Sequence, residues 1–113
     1  MLQEYLLTGL EKELPSLLIA GNDLLATGAI RALKEYGLRI PEDVSIIGFD
    51  NMPLAAVMDP PLTTIDINSN GIYPFAIESL LDKIQNAAAG NCRRDVRGHL
   101  VERGSVKTIG SLL

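Results

Sequence analysis

Two polar pairs, Asn22-Asp23 and Asp50-Asn51, each follow a short apolar run. The runs are Leu17-Leu18-Ile19-Ala20-Gly21 and Val44-Ser45-Ile46-Ile47-Gly48-Phe49. A carboxylate accepts two hydroxyl hydrogen bonds, and a carboxamide both donates and accepts. Together these groups suit a neutral polyhydroxyl ligand such as a sugar or nucleoside. In open α/β sheets ligands bind beyond the carboxyl ends of parallel strands, which is where both pairs fall if the runs are strands. The same residue types have a plainer use. Asn and Asp are favoured N-caps, so Asn22 or Asp23 can simply start the next helix. Asp50 and Asn51 can be turn residues. Spacing leaves both readings open.

Other constellations point to little chemistry. Glycines at 21, 28, 37 and 48 form no dinucleotide-binding or P-loop pattern. None of Ser16, Ser45, Ser69, Ser79, Ser105 and Ser111 sits in a nucleophile elbow. Asp43, Asp50, Asp59 and Asp66 are scattered without metal-ligand spacing. Cys92 is the single cysteine, so it forms no internal disulfide and reads as a spare thiol. The single histidine, His99, reads as a strand-face residue. Arg93, Arg94, Arg97 and Arg103 read as a solvated strand face, since no aromatic residues interleave for base stacking. No catalytic residue, metal site or cofactor is expected, and the chain is not read as an enzyme.

The elements that position the pairs follow from periodicity. The chain has 113 residues, which allows one domain with its own core. Its 47% hydrophobic and 21% charged residues fit a globular protein rather than a disordered one. A net charge of −4 argues against this segment gripping nucleic acid or an anionic membrane surface. No apolar run nears the roughly 20 residues of a spanning helix, and no secretory signal opens the chain.

Leu2, Leu6, Leu10 and Leu14 predict a helix over 2–13, stopped by Pro15. Residues 17–21 predict a strand buried on both faces. A helix follows to Tyr36, with Leu25, Gly28, Ala29, Ala32, Leu33 and Tyr36 as its packing face and Gly37 as its C′ residue. Residues 44–49 predict the second strand, making a right-handed βαβ unit. Pro53 to Met58 reads as one or two helical turns, and 62–67 as a β-branched strand. A third long helix runs to about Ala89, and Val96 to Arg103 is the last strand.

Beyond these patterns, four stretches resemble the LacI/GalR bacterial transcriptional regulators. Residues 20–33, read Ala20-Gly21-Asn22-Asp23-Leu24-Leu25-Ala26-Thr27-Gly28-Ala29-Ile30-Arg31-Ala32-Leu33, match that family's A-x-N-D-x-x-A-x-G-A-x-R-A-L pattern. Residues 37–51, which include Ile40-Pro41-Glu42-Asp43-Val44-Ser45-Ile46-Ile47-Gly48-Phe49-Asp50, resemble its next segment. Pro60-Pro61-Leu62-Thr63-Thr64-Ile65 and Leu100-Val101-Glu102-Arg103-Gly104-Ser105 resemble a crossover and the last strand. The matches keep order and spacing from about Pro15 to Ser105. Related periplasmic sugar-binding proteins share the Asn-Asp and Gly-Phe-Asp parts only.

The resemblance implies an incomplete α/β lobe of the periplasmic-binding-protein-like fold, three-layered around a parallel sheet. It covers about the C-terminal third of such a regulator. It implies that residues 1–62 supply elements of the C-terminal lobe. Residues 63–95 then form a crossover and a helix packing on an N-terminal lobe, and residues 96–105 a returning strand. The family's ligand contacts carry over to Asn22 and Asp50, while Asp23 would be structural. A polar residue, often Gln, commonly stands where this chain has Ile67, which removes one expected hydrogen bond. The implied function is effector sensing and dimerisation in a cytoplasmic regulator. Its partners would be a sugar or nucleoside effector and a second copy, with DNA reached only through an amino-terminal helix-turn-helix module. The alternative is a piece of a periplasmic-type sugar-binding transport protein. Uncovered apolar faces predict self-association.

Overall fold

A computed structural model describes residues 14–67 and 71–110. The expected helix over 2–13 lies outside the described residues. Strand β1 (Leu17–Ile19) leads into helix α1 (Asp23–Glu35), then strand β2 (Ser45–Phe49). A short helix α2 (Pro53–Val57) precedes strand β3 (Thr63–Asp66), helix α3 (Ile72–Gln85) and strand β4 (His99–Val101). The four strands form one sheet in the order β1-β2-β3-β4. The first three are parallel, with Leu17 opposite Ser45 and Ile47 opposite Thr63. β4 pairs antiparallel to β3, Thr64 facing Val101. This is the mixed, mostly parallel α/β architecture that the βαβ pattern requires.

Helix α1 shows how local chemistry sets the frame. The Asn22 side-chain Oδ1 accepts from the Leu25 amide at 2.8 Å and caps the helix. At the other end Gly37 has φ +78°, the left-handed conformation that a side chain disfavours. Leu38 N donates to Leu33 O at 3.0 Å and Gly37 N to Lys34 O at 2.9 Å, closing a Schellman motif. The expected packing face is rotated, however. Asp23, Ala26, Ile30, Ala32 and Leu33 are buried, while Leu25 and Tyr36 are exposed and nothing lies within 4 Å of a Cβ at Gly28. The helix turns this way because Asp23 is drawn inward to polar partners on β3 and the loop after β2, which fixes the phase of every later residue.

The core joins α1 to the sheet. Ala26, Ile30 and Leu33 pack with Ile40, Val44, Ile46, Ala55 and Leu62, all within a tenth of full exposure or less. Leu18 of β1 packs against this cluster. Its neighbours do not, and the expectation of a doubly buried β1 is corrected: Leu17 and Ile19 are exposed, Ile19 to 71%. Alternate strand residues face opposite ways, and only the α1 side of β1 is covered among the described residues. Pro53 opens α2, as its fixed φ favours.

Strand and helix ends also fall short of the sequence expectation. α3 stops at Gln85 rather than Ala89, and β4 spans three residues rather than Val96 to Arg103. Gly98, next to β4, lies so close to Ile65 and Ile67 that a Cβ there would sit 2.7 Å from Ile65 Cγ2. α3 has no buried residue, although Tyr73, Ile77, Leu80, Leu81 and Ile84 are large and apolar. The Cα radius of gyration is 18.6 Å, against about 13 Å for a compact chain of ~100 residues.

Candidate functional site

The two polar pairs meet at one rim. β1 and β2 are adjacent and parallel, so their carboxyl ends lie side by side. Just past the paired residues, Ala20 N donates to Ile47 O at 2.8 Å, which keeps the two exits together. Asn22 leaves β1 there and Asp50 leaves β2, both half-buried. Asn22 spends its oxygen on the α1 cap, so the N-cap reading of this residue holds. Its amide donors keep no partner among the described residues. A carboxamide has two such donors to offer a ligand.

Asp23 has a different job. It is fully buried, and its two side-chain oxygens are both occupied. Thr64 Oγ1 donates to Oδ1 at 2.5 Å, and Met52 N donates to Oδ2 at 2.6 Å. Burying these oxygens without donors would be costly, so the two bonds make the inward position tolerable. They also tie the first turn of α1 to β3 and to the loop after β2. Gly48 makes room for this contact. A Cβ at 48 would overlap Asp23 Oδ1 and lie 2.8 Å from Leu62 Cδ2.

The loop after β2 has an unusual backbone. Asp50 has φ +101° and Asn51 φ +50°, two successive non-glycine residues with positive φ. Each such residue costs on the order of 1–3 kcal/mol unless its surroundings hold it. Asn tolerates the left-handed region better than most side chains. Every amide of the turn is held: Asp50 N donates to Ile65 O at 2.9 Å, Asn51 N to Thr64 Oγ1 at 3.3 Å, and Met52 N to Asp23.

The Asn51 side chain is held as well. Its Oδ1 accepts from Arg103 Nη2 at 2.7 Å, and its Nδ2 donates to Asp66 Oδ2 at 3.0 Å. Arg103 Nη1 donates to Leu62 O at 2.8 Å, and Arg103 N donates to Thr63 Oγ1 at 2.9 Å. The reading of Arg103 as part of a solvated face is therefore corrected. It is half-buried and bonded to three residues. Strand alternation was the available signal, because it puts Arg103 on the same side as Val101, which pairs with Thr64. Arg93, Arg94 and Arg97 are exposed, as expected. Thr64 was also missed. It looked like one more β-branched strand residue, and only the sheet register brings it to Asp23.

Other candidates keep their modest roles. His99 is an exposed strand residue, and Cys92 is an exposed free thiol. Ser105 is buried, donates to Ile46 O at 2.6 Å and accepts from Thr63 N at 2.8 Å, which is structural work. Among the described residues no group of three or more His, Cys, Asp or Glu could hold a metal ion. None of the described helices is long and apolar enough to cross a membrane. A groove of about 520 Å³ lies between α3 and residues 92–96, with Phe75, Ser79, Cys92 and Ile67 in its walls and none of the four corner residues among them. Ile67 thus lines this groove, and the Arg94 guanidinium stacks 4.7 Å above the Phe75 ring beside it.

The family model for a periplasmic binding protein-like domain matches residues 2–106. The HTH-type transcriptional repressor PurR of Haemophilus influenzae (strain PittEE) is 42% identical over 102 residues, covering 88% of this chain and 30% of the repressor. A LacI-type transcription regulator from Bifidobacterium animalis subsp. lactis superposes with a TM-score of 0.74 at 36% identity, covering 83% of this chain and 34% of that one. The lac repressor dimer bound to operator and the anti-inducer ONPF superposes with a TM-score of 0.77 at 31% identity, covering 94% and 36%. The chain spans about a third of the length of the relatives it matches. It belongs to the periplasmic-binding-protein-like domain family, as part of a LacI/GalR-type effector domain.

Proposed function

We propose that this chain is the part of a LacI-type regulator that senses a small polar effector, a sugar or nucleoside, with Asn22 and Asp50 as ligand contacts. The observation that carries the reading is the meeting of both polar corners at the carboxyl rim of two adjacent parallel strands. A structural neighbour supports it, since it is a CelR–cellobiose complex. The relatives are repressors and regulators rather than enzymes or transporters, which supports a regulatory, cytoplasmic, non-enzymatic role. Binding needs no covalent step. An effector that prefers one lobe arrangement shifts the population toward it by its differential affinity.

The same reading assigns residues 1–62 to one lobe, 63–95 to a crossing segment and its helix, and 96–105 to the return. The absence of any buried residue in α3 supports that division, because such a helix needs cover from elsewhere. Its exposed apolar residues also support self-association as a homodimer or larger species. DNA contact belongs to a helix-turn-helix module outside this acidic segment.

The reading frame that contains this chain decides first between regulator and transporter. A helix-turn-helix coding region upstream is expected, and an export signal there overturns the proposal. The site is then tested with Asn22→Ser, which keeps an N-cap, and Asp50→Asn. Both are expected to abolish the operator response to effector while the fold remains, and an unchanged response in both removes the site.

A further inference from the structure

The Asp50 corner has a support that its own sequence neighbourhood does not supply. Two successive positive-φ residues, Asp50 and Asn51, form the turn that carries the Asp50 side chain. Their backbone amides are tied to β3, and the Asn51 carboxamide is caught between two charged side chains. Arg103 Nη2 donates to its oxygen at 2.7 Å, and its nitrogen donates to Asp66 Oδ2 at 3.0 Å. Arg103 comes from beyond the end of β4, and Asp66 ends β3. A planar fork that also binds Leu62 O at 2.8 Å fixes the guanidinium in two directions at once.

We infer that Asn51 and Arg103 are positioning residues: the Arg103–Asn51–Asp66 clamp holds the left-handed turn from which Asp50 meets the effector. This rests on the reading of Asp50 as a ligand contact. The geometry gives the clamp a second consequence. β3 is the strand by which the chain leaves the sheet for α3, and β4 is the strand by which it returns. One carboxamide therefore bonds the ligand corner to both connections. A change in the path of either strand is felt at Asp50, and a ligand on Asp50 biases both strands.

Asn51→Gly and Arg103→Met separate this role from alternatives. Glycine relieves the positive φ at 51 and removes only the clamp, so a residue present merely to tolerate the turn would lose nothing. Methionine keeps the Arg103 stem and removes the fork. In the isotope-labelled chain, both variants are expected to speed amide exchange at positions 51 and 52 by about tenfold or more. The Asp50 coupling constant that reports φ should move too, while amides of α1 and β2 exchange as before. Unchanged exchange and coupling in both variants overturns the clamp. If Arg103→Met does not fold, Arg103→Lys takes its place, since lysine keeps the charge and lacks the fork.

A second arm uses the intact reading-frame product with cellobiose, sucrose and adenosine as probes. About tenfold weaker binding is expected in Asn51→Gly, with unaltered circular dichroism. Wild-type affinity there, beside lost affinity in Asp50→Asn, overturns the clamp and leaves the sensor reading intact. Unchanged binding in Asp50→Asn overturns the sensor reading, and the exchange experiment still decides the clamp because it needs no ligand.

Discussion

Helices α1 and α3 are of similar length, 13 and 14 residues, and α3 is the more apolar of the two. Yet α1 has five buried residues and α3 has none. The difference lies in what each helix meets. α1 is capped at both ends and laid on β2, with Ile30 and Leu33 against Ile46 and Leu62. α3 starts from Gly71 with no side-chain cap and presents Tyr73, Ile77 and Ile84 to solvent. Burial is a property of a residue with its neighbours, and an apolar helix without a facing surface gains little from its apolar side chains.

A matched pair of leucines should respond very differently in the two helices. Leu33→Ala opens a cavity in the only cluster that joins α1 to the sheet among the described residues, and should cost about 2–5 kcal/mol in urea unfolding. Leu80→Ala on α3 should change stability by about 0.5 kcal/mol or less, as surface substitutions do. Equal losses at the two positions would mean that α3 is covered in solution, by self-association, and the loss at Leu80 would then depend on protein concentration.

A matched pair of glycines sharpens the same contrast inside the sheet half. Gly48→Ala forces a methyl group onto Asp23 and Leu62 and should destabilise by about 1–3 kcal/mol. Gly28→Ala meets no neighbour within 4 Å, so it should stabilise α1 by about 0.5–1 kcal/mol through helix propensity. Thermal melts of the two variants should therefore move in opposite directions. The smallest effect belongs to the surface. Arg39 Nη2 lies 2.8 Å from Asp43 Oδ1, and Arg39 N and Nε both donate to Asp43 Oδ2. These bonds, the side-chain one first, lower the Asp43 pKa from 3.8 to about 2. The pair thus supports the fold above the ordinary carboxylate range, and its contribution is lost as pH falls through about 2. Being at the surface, it changes overall stability little. A carboxyl NMR titration should show the low midpoint, and Arg39→Gln should return it toward the ordinary value.

Much of the candidate site was legible along the chain. Asn22, Asp23, Asp50 and Asn51 could be placed at strand ends because apolar runs and caps are local signals. Gly37 could be assigned to a helix end for the same reason. Local pattern did not separate the duties within each pair, and only the family resemblance set Asp23 apart as structural. Asn22 and Asp23 are neighbours of similar polarity, yet one caps the helix at the rim and the other is sealed beneath it. That distinction depends on Thr64 and Met52, 41 and 29 residues away. Arg103 was misread because the arginines near it in sequence are solvated, and only its contacts with Leu62 and Asn51 set it apart.

Local sequence set the order of strands and helices, the βαβ pattern and the two polar corners, because periodicity, caps and turn residues act over a few positions. Tertiary structure decided the rotation of α1, the exposure of β1 and α3, and the closing of Arg103 on Asn51 over 52 residues. Those outcomes depend on which surfaces meet, and no local pattern records a partner that distant in the chain.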